Sequence, residues 1–284
     1  MAVGLVALLV PFAAGAGAAT ICVGLEAQGC ESTAPTVQAA LDAASNSPAG
    51  DRIVIGAGRF EGPFRYLPGS AGGRIEVVGQ GPATLLTAPP PVASAGTVLE
   101  LVADTVGDGS VVSNLTVRIP SSTATKADTG IYADVVSGVR IASDANEPVS
   151  SGELVGVALP TPGGSLRNSV IELVGGNGVG VATGGASNTN PVTVADTRIT
   201  APVAVRASAQ DTSVVRDRIL AGQSGVVACN GPATVEDSLI RVSGTGIGLL
   251  ATGENFCGTG QGSLVAREVT VIGAGTAAGE VGAE

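Results

Sequence analysis

Few side chains in this sequence belong to the types that perform acid–base or nucleophilic chemistry. The 284 residues include no histidine, no tryptophan, four cysteines and two tyrosines. The lack of histidine excludes Ser-His-Asp and Cys-His catalysis and histidine–zinc sites. The remaining candidates are carboxylates, arginines, tyrosines and cysteines, which act only where a fold brings them together.

The cysteines point to disulfides more than to metal binding. Cys22, Cys30, Cys229 and Cys257 are even in number, and no two of them form a C-x-x-C pair of the zinc-binding kind. An even count in an exported chain is typical of disulfide bonds. Three connectivities are open, and we expect the local pairs Cys22–Cys30 and Cys229–Cys257.

The first residues indicate export. An apolar run is followed by small residues, and Ala16-Gly17-Ala18 fits an A-x-A cleavage site, although the basic front of such a signal is missing. We expect residues 1–19 to be a signal peptide, shortened at its front, and residues 20–284 to be one domain. A membrane anchor is the alternative, and no later segment is expected to span a bilayer. The predicted location is extracellular or on the cell surface.

The charge restricts the partners. A net charge of −10 leaves no basic stripe to replace the counterions of a phosphate backbone, which argues against nucleic acid. The calcium-binding nonapeptide G-G-x-G-x-D is absent as well. We therefore predict no metal site and no cofactor. Calcium is left open as a ligand, although no motif supports it.

A short phrase, apolar–x–Asn/Asp–x–x–apolar, recurs along the chain. Asn and Asp tolerate the left-handed backbone of a sharp corner, so these residues predict a structural ladder of turns. The spacings run from 20 residues, between Asp217 and Asp237, to 54, between Asn114 and Asn168; the longest fits two coils, with Val135–Ile141 as a degenerate copy. The predicted ladder comprises Asn114, Asn168, Asp196, Asp217 and Asp237.

The repeat predicts the fold. A second phrase led by glycine follows most corners, so each repeat supplies several short strands, as in a parallel β-helix. A helix with one apolar face, formed by Val37, Ala40, Leu41 and Ala44, precedes the repeats. We predict an all-β, single-stranded, right-handed parallel β-helix with a short N-terminal capping helix.

One segment carries a family resemblance. Residues 33–64, with the phrases TVQAALDAA and AGDRIVIGAGRFEG, resemble the N-terminal part of pectin-lyase-fold proteins, which include pectin methylesterases and polygalacturonases. The resemblance implies a right-handed parallel β-helix whose open end is capped by an amphipathic helix.

The resemblance also indicates a face for binding. Proteins of this superfamily do their chemistry on the outside of one sheet, which corresponds here to the glycine-led strands. Alternation along those strands sends Tyr132, Asp134 and Arg206 outward, together with Val227 and Cys229. Tyr132, Asp134 and Arg206 are the predicted substrate-binding residues. Asp134 and Arg206 should lie three coils apart, about 14 Å, which is too far for one catalytic act.

The catalytic residues of the superfamily are not matched. Residues 203–228 resemble the coil that carries the first catalytic aspartate of pectin methylesterases, but Ser224 stands at its place, and the second falls near Gly246. We therefore expect a non-catalytic protein that presents a face to a polysaccharide or an extracellular protein. The alternatives are a divergent lyase, pectinesterase-like enzyme or glycosidase that acts on uronate polymers, and a purely structural spacer.

Overall fold

The structure is a computed structural model of the 284-residue chain. The predicted signal peptide, except for its last two residues, lies outside the described residues. The structure describes residues 18–25, 29–47, 49–69, 73–88, 96–101, 109–119, 128–143, 153–175, 177–184, 190–208, 211–251 and 262–273.

The described residues form many short strands and one short helix. In chain order the elements are β1 (Thr20–Val23), β2 (Ser32–Ala34), α1 (Val37–Ala44), β3 (Arg52–Ile55), β4 (Gly58–Glu61), β5 (Phe64–Tyr66), β6 (Glu76–Gly79), β7 (Thr84–Thr87), β8 (Thr97–Leu101), β9 (Val111–Ser113), β10 (Thr116–Ile119), β11 (Asp128–Tyr132), β12 (Val135–Ser137), β13 (Arg140–Ser143), β14 (Leu154–Leu159), β15 (Ser165–Arg167), β16 (Val170–Glu172), β17 (Gly178–Thr183), β18 (Val192–Ala195), β19 (Arg198–Ala207), β20 (Thr212–Val215), β21 (Arg218–Ala228), β22 (Pro232–Glu236), β23 (Leu239–Val242), β24 (Ile247–Ala251), β25 (Ser263–Arg267) and β26 (Thr270–Gly273).

These strands stack in parallel from coil to coil. One sheet has eleven strands in the order β2-β1-β3-β6-β9-β12-β15-β18-β20-β22-β25. The second sheet has two arms, because the long strands β19 and β21 cross from one to the other. We call β4, β7, β10, β13, β16, β23, β26 and the first halves of β19 and β21 the arginine arm. We call β5, β8, β11, β14, β17, β24 and the second halves of β19 and β21 the valine arm. This confirms the predicted all-β parallel β-helix.

The core is a narrow shaft filled by branched aliphatic side chains. Each coil sends residues inward from three directions, among them Val194, Ile199 and Val205, which are all fully buried. Strand pairing places equivalent residues directly above one another, so the same side-chain type repeats along the axis. The column from the first sheet comprises Ile53, Val77, Val112, Val136, Leu166, Val194, Val214 and Val235.

The helix α1 lies at the N-terminal end of the shaft, as predicted. Thr36 caps it by accepting a hydrogen bond from the amide of Ala39 at 3.1 Å. Its buried face is the predicted one, Val37, Ala40, Leu41 and Ala44, and it packs against the first strands. The neighbouring disulfide between Cys22 and Cys30 confirms the first predicted pair.

The corners before the arginine arm adopt the left-handed conformation. Asn114, Asn168, Asp196 and Asp237 have φ between 50° and 54°. In the degenerate copy, Gly138 has φ 61°. These residues stand in one file, since the amide of Asn168 donates to the carbonyl of Ala195, and the amide of Asp196 to that of Val215.

Asp217 is the exception in this file, and the prediction for it is wrong by one residue. Arg216, with φ 55°, occupies the corner, and Asp217 follows it. The reason is the register of the core: Val214 pairs with Val194 and with Val235, which places Arg216 opposite the corner aspartates. Burial of the valine therefore outweighs the preference of aspartate for the corner.

Glycines let the valine arm approach the arginine arm. A Cβ on Gly180 would lie 2.6 Å from Cγ2 of Ile199 and 2.6 Å from the carbonyl oxygen of Ala204 on the next coil. Gly130 and Gly156 occupy the same place on earlier coils, with similarly close neighbours. Only a residue without a large side chain fits the point where the two arms converge.

Candidate anion-binding groove

Two of the three predicted substrate-binding residues lie on the outer surface of the valine arm. Tyr132 and Arg206 occupy one outward column, and pairing through Ala158 and Ala182 places them three coils apart. Both side chains are partly buried. The structure therefore does not bring Tyr132 and Arg206 together into one site.

Asp134 does not lie on this surface, and the prediction that it faces outward is wrong. Strand β11 ends at Tyr132, so the alternation of a strand no longer applies two residues later. Asp134 is 2% exposed and serves the turn into β12: its carboxylate accepts hydrogen bonds from the amide of Ser110 (3.3 Å) and the hydroxyl of Thr161 (2.5 Å). Its role in the structure is to hold a corner.

The polar groups of the valine arm are engaged with their neighbours. Arg206 forms an ion pair with Glu153, and Arg65 forms one with Glu100 at 3.2 Å. Burial raises the pKa of Tyr132, and the carboxylates of Glu100 and Asp134 raise it further. Arg206, already bound to a carboxylate, therefore has less to offer an anionic ligand than an arginine without an ion pair.

Many outward side chains of the valine arm are shielded from solvent. Val155, Val179, Val203 and Val227 point away from the core, yet each is at most 5% exposed, and they cluster with Cys229. Val227 and Cys229 were predicted to face outward; both are fully buried within this outer cluster. Cys229 takes part in a disulfide, and its predicted partner, Cys257, lies outside the described residues.

The position that corresponds by resemblance to the first catalytic aspartate is also shielded from solvent. Ser224 is 2% exposed and stands in the outward column between Val203 and Ile247. Gly246, the second such position, precedes β24 and carries no side chain for chemistry. The described residues of the valine arm thus hold no pair of carboxylates at these two places.

The arginine arm presents a different surface. Arg198 and Arg218 are direct partners in the pairing of β19 with β21, so their side chains leave neighbouring coils side by side. The coil spacing of a parallel sheet is about 4.8 Å. Arg241 stands on the next strand, β23, in the outward column two residues further along. All three side chains are exposed.

These arginines line a shallow groove across three coils. The groove has a volume of about 370 Å³. Leu220, which is 48% exposed, and Leu239 supply apolar walls, and Thr200 adds a hydroxyl. The described residues that line the groove are thus mainly cationic and apolar, with no carboxylate among them.

The charges of the groove are uncompensated. Within the described residues, Arg198, Arg218 and Arg241 form no ion pair, whereas seven other arginines do. Glu172, on the preceding coil, is already bound by Arg140 at 2.8 Å. Like charges placed opposite one another on adjacent strands destabilise a sheet. In a protein of net charge −10, this cluster is where an anion would be attracted.

Sequence reasoning missed this groove because of the shift at Asp217. When Arg216 is taken as the corner, Arg198 and Arg218 each stand two residues after a left-handed corner. With Asp217 taken as the corner, the two arginines fall out of register and the column disappears. Alignment on the buried valines, Val194 and Val214, would have revealed it.

Two further findings concern the part of the chain that the structure describes. It contains no group of three or more histidine, cysteine, aspartate or glutamate side chains placed to hold a metal ion. Nor does it contain a helix that is long and apolar enough to cross a membrane.

Comparisons with known proteins support the fold alone. No protein family model matches the chain, and no curated protein matches it. Among solved structures, Escherichia coli YbhC is similar with a TM-score of 0.50 and 12% identity over 96% of this chain and 88% of that one. ORF18 of Geobacillus virus E2 matches with a TM-score of 0.38 and 11% identity, over 83% and 58% of the two chains. At this identity, the likeness to YbhC shows a common parallel β-solenoid architecture.

Proposed function

We propose that this chain is an extracellular, non-catalytic β-helix of the pectin-lyase-fold superfamily that binds an acidic polysaccharide along the arginine groove. The observation that carries the proposal is the cluster of Arg198, Arg218 and Arg241, exposed and unpaired within the described residues. The N-terminal resemblance and the fold likeness to YbhC support the superfamily. The Cys22–Cys30 disulfide is compatible with an extracellular location.

Arginine suits an acidic glycan for a geometric reason. The guanidinium group is planar and offers two parallel N–H donors, which match the two oxygens of a carboxylate or sulfate. Because Arg198 and Arg218 lie side by side on neighbouring coils, successive acidic groups of one chain can each meet an arginine. A ligand with repeated charges thereby gains from several contacts at once.

The apolar walls favour a sugar over a simple ion. Leu220 and Leu239 flank the arginines with surface that water solvates poorly. A sugar ring offers C–H faces that cover such surface while its acidic substituents reach the arginines. An open groove across three coils also fits a long polymer better than an enclosed pocket would.

The test is a binding series with a matched charge control. The groove variant carries Arg198→Gln, Arg218→Gln and Arg241→Gln. The control variant carries Arg52→Gln, Arg59→Gln and Arg267→Gln, three exposed arginines elsewhere whose removal changes the net charge equally. Affinity for polygalacturonate, alginate and a neutral dextran is measured by calorimetry at low and physiological salt.

We expect the wild-type protein to bind an acidic polymer and not dextran, and the groove variant to lose at least about tenfold in affinity. The control should lose no more than about threefold, because it changes only the long-range field. Equal losses in both variants, or no binding by the wild type, would refute the proposal. Release of unsaturated or reducing ends, or of methanol from methylated pectin, would favour the enzymatic alternative.

A further inference from the structure

A second ladder runs beside the corner residues, inside the coil. The residue after each corner places its side chain toward the core, and in three coils it is a buried serine or threonine: Ser169, Thr197 and Ser238. Each hydroxyl donates to the carbonyl two residues earlier, that of Arg167 (2.7 Å), Ala195 (2.9 Å) and Glu236 (2.7 Å).

Each of these hydroxyls also joins one coil to its neighbour. Ser169 accepts a hydrogen bond from the amide of Val139 at 3.3 Å, and Thr197 accepts one from the amide of Ser169 at 3.4 Å. Ser238 accepts one from the amide of Asp217 at 3.1 Å. Every hydroxyl of the ladder therefore acts once as donor and once as acceptor.

Asp217 fills the fourth place of this ladder and completes only half of the pattern. It is 1% exposed, and its Oδ1 accepts a hydrogen bond from the amide of Thr197 at 2.7 Å. Its Oδ2 is buried and has no hydrogen-bond partner among the described residues. A buried carboxylate oxygen without a partner is costly, because it has lost its water and gained nothing in return.

The missing acceptor can be identified from the neighbouring coils. The carbonyls of Ala195 and Glu236 each receive two hydrogen bonds, one from a corner amide of the preceding coil and one from a ladder hydroxyl. The equivalent carbonyl, that of Val215, receives the corner amide of Asp196 at 3.1 Å. By the pattern of the neighbouring coils, the second bond to this carbonyl would come from Asp217, and an ionised carboxylate has no proton to donate.

We propose that Asp217 is held as a neutral carboxylic acid whose O–H donates to the carbonyl of Val215, which makes the ladder a proton-dependent part of the fold. The protonated side chain then repeats the donor and acceptor roles of its serine and threonine neighbours. Loss of the proton leaves a buried charge and interrupts the ladder between Thr197 and Ser238.

The charges around Asp217 do not stabilise its ionised form enough to offset the effect of burial. Arg216 is already bound through two hydrogen bonds, of 2.7 and 2.8 Å, to Asp196 on the preceding coil, and Asp237 on the following coil faces the same arginine. Burial raises the pKa of Asp217 to about 7, and the carboxylate of Asp196 raises it too. The backbone of Thr197, the guanidinium of Arg216 and the backbone of Val215 act in the opposite direction.

The direction of the pH effect follows from these values. The folded state holds the proton more tightly than an unfolded chain, in which the carboxyl has its ordinary pKa of 3.8. Stability from this group is therefore complete below about pH 4 and is lost as the pH rises through about 7. Across that window, the unfolding equilibrium constant should increase by up to about tenfold per pH unit.

The experiment compares the wild-type protein with Asp217→Asn. Asparagine has the shape of the neutral acid, with an oxygen for the amide of Thr197 and an N–H₂ group for the carbonyl of Val215, and it does not titrate. Urea unfolding is followed by circular dichroism from pH 4 to pH 8. Because the variant is expected to fold, the difference between the two proteins isolates the carboxyl group.

We expect nearly equal stability at pH 4 and a variant that is at least about a hundredfold more stable in its unfolding constant at pH 8. A direct readout is a ¹³C NMR titration of aspartate carboxyls in the folded protein, with the Asp217 signal assigned by its absence in the variant. A midpoint near pH 7 would support the proposal. A midpoint below about pH 4.5, or a constant stability difference from pH 4 to pH 8, would overturn it.

Discussion

In the arginine arm, the outward side chains of neighbouring coils are exposed, as Arg198, Leu220 and Arg241 are. In the valine arm, the outward side chains at Val179, Val203 and Val227 are almost completely buried. The two arms share the strands β19 and β21 and one core. The same strands therefore present a charged surface on one side and a second, small apolar cluster on the other.

This difference teaches where the protein can change. Core positions are constrained in both arms, since they fill one shaft at native density. Outward positions are constrained in the valine arm by burial, but in the arginine arm they meet solvent and are open to selection for a ligand. Exposed, like-charged residues that contribute no stability are thus better evidence of function than polar residues in a closed surface.

The largest effect should come from an acidic substitution on each arm. Val179→Asp places an uncompensated charge in the buried outer cluster, and we expect it to lower the free energy of unfolding by about 3 kcal/mol or more. Leu220→Asp, on the exposed arginine arm, should change it by less than about 0.5 kcal/mol. Urea unfolding followed by circular dichroism measures both. Similar losses in the two variants would show that the arms do not differ as described.

A smaller effect should arise where the arms converge. Gly180→Ala introduces a Cβ 2.6 Å from Ile199 Cγ2 and from a backbone oxygen, and we expect a loss of about 1–3 kcal/mol. Gly222→Ala is the matched control, because among the described residues the only close neighbour of its Cβ is Cα of Pro202 at 3.4 Å, an ordinary contact. The same unfolding measurement applies. If both variants were equally stable, the close approach would not constrain the fold.

The smallest effect concerns single arginines. Arg218→Gln removes repulsion from Arg198, so we expect the free energy of unfolding to increase by about 0.2–1 kcal/mol at low salt. The gain should fade at high salt, where such charges are screened. Arg206→Gln breaks the partly exposed ion pair with Glu153 and should decrease the free energy of unfolding by up to about 1 kcal/mol. Opposite signs in the two arms are the diagnostic result, measured by thermal or urea unfolding.

The repeated phrases were sufficient to predict the coil, because the corner and the inward valines are local requirements. Asn168 and Asp196 indicate the left-handed corner, and the apolar residues on either side indicate the strands. The helix α1 was predictable for the same reason, since its buried face is visible in its spacing.

The wrong predictions concern residues whose positions are set by contacts with a neighbouring coil. Asp134 has the spacing of a strand residue, but the strand ends before it. Its carboxylate instead accepts hydrogen bonds from Ser110 and Thr161. Asp217 has the residue type of a corner, but the burial of Val214 moves it into the ladder. Residue type and spacing within one coil do not contain this information.

By itself, the sequence determined the class of fold, the capping helix, the Cys22–Cys30 pair and four of the five predicted corners, because each depends on preferences that act within a few residues or within one repeat. Only the tertiary structure decided that Arg198, Arg218 and Arg241 share one groove, and that Asp217 lies buried among hydroxyls. The physical reason is register: coils of unequal length are aligned by the packing of their inward side chains. That alignment sets which residues, 20 or more positions apart, become neighbours.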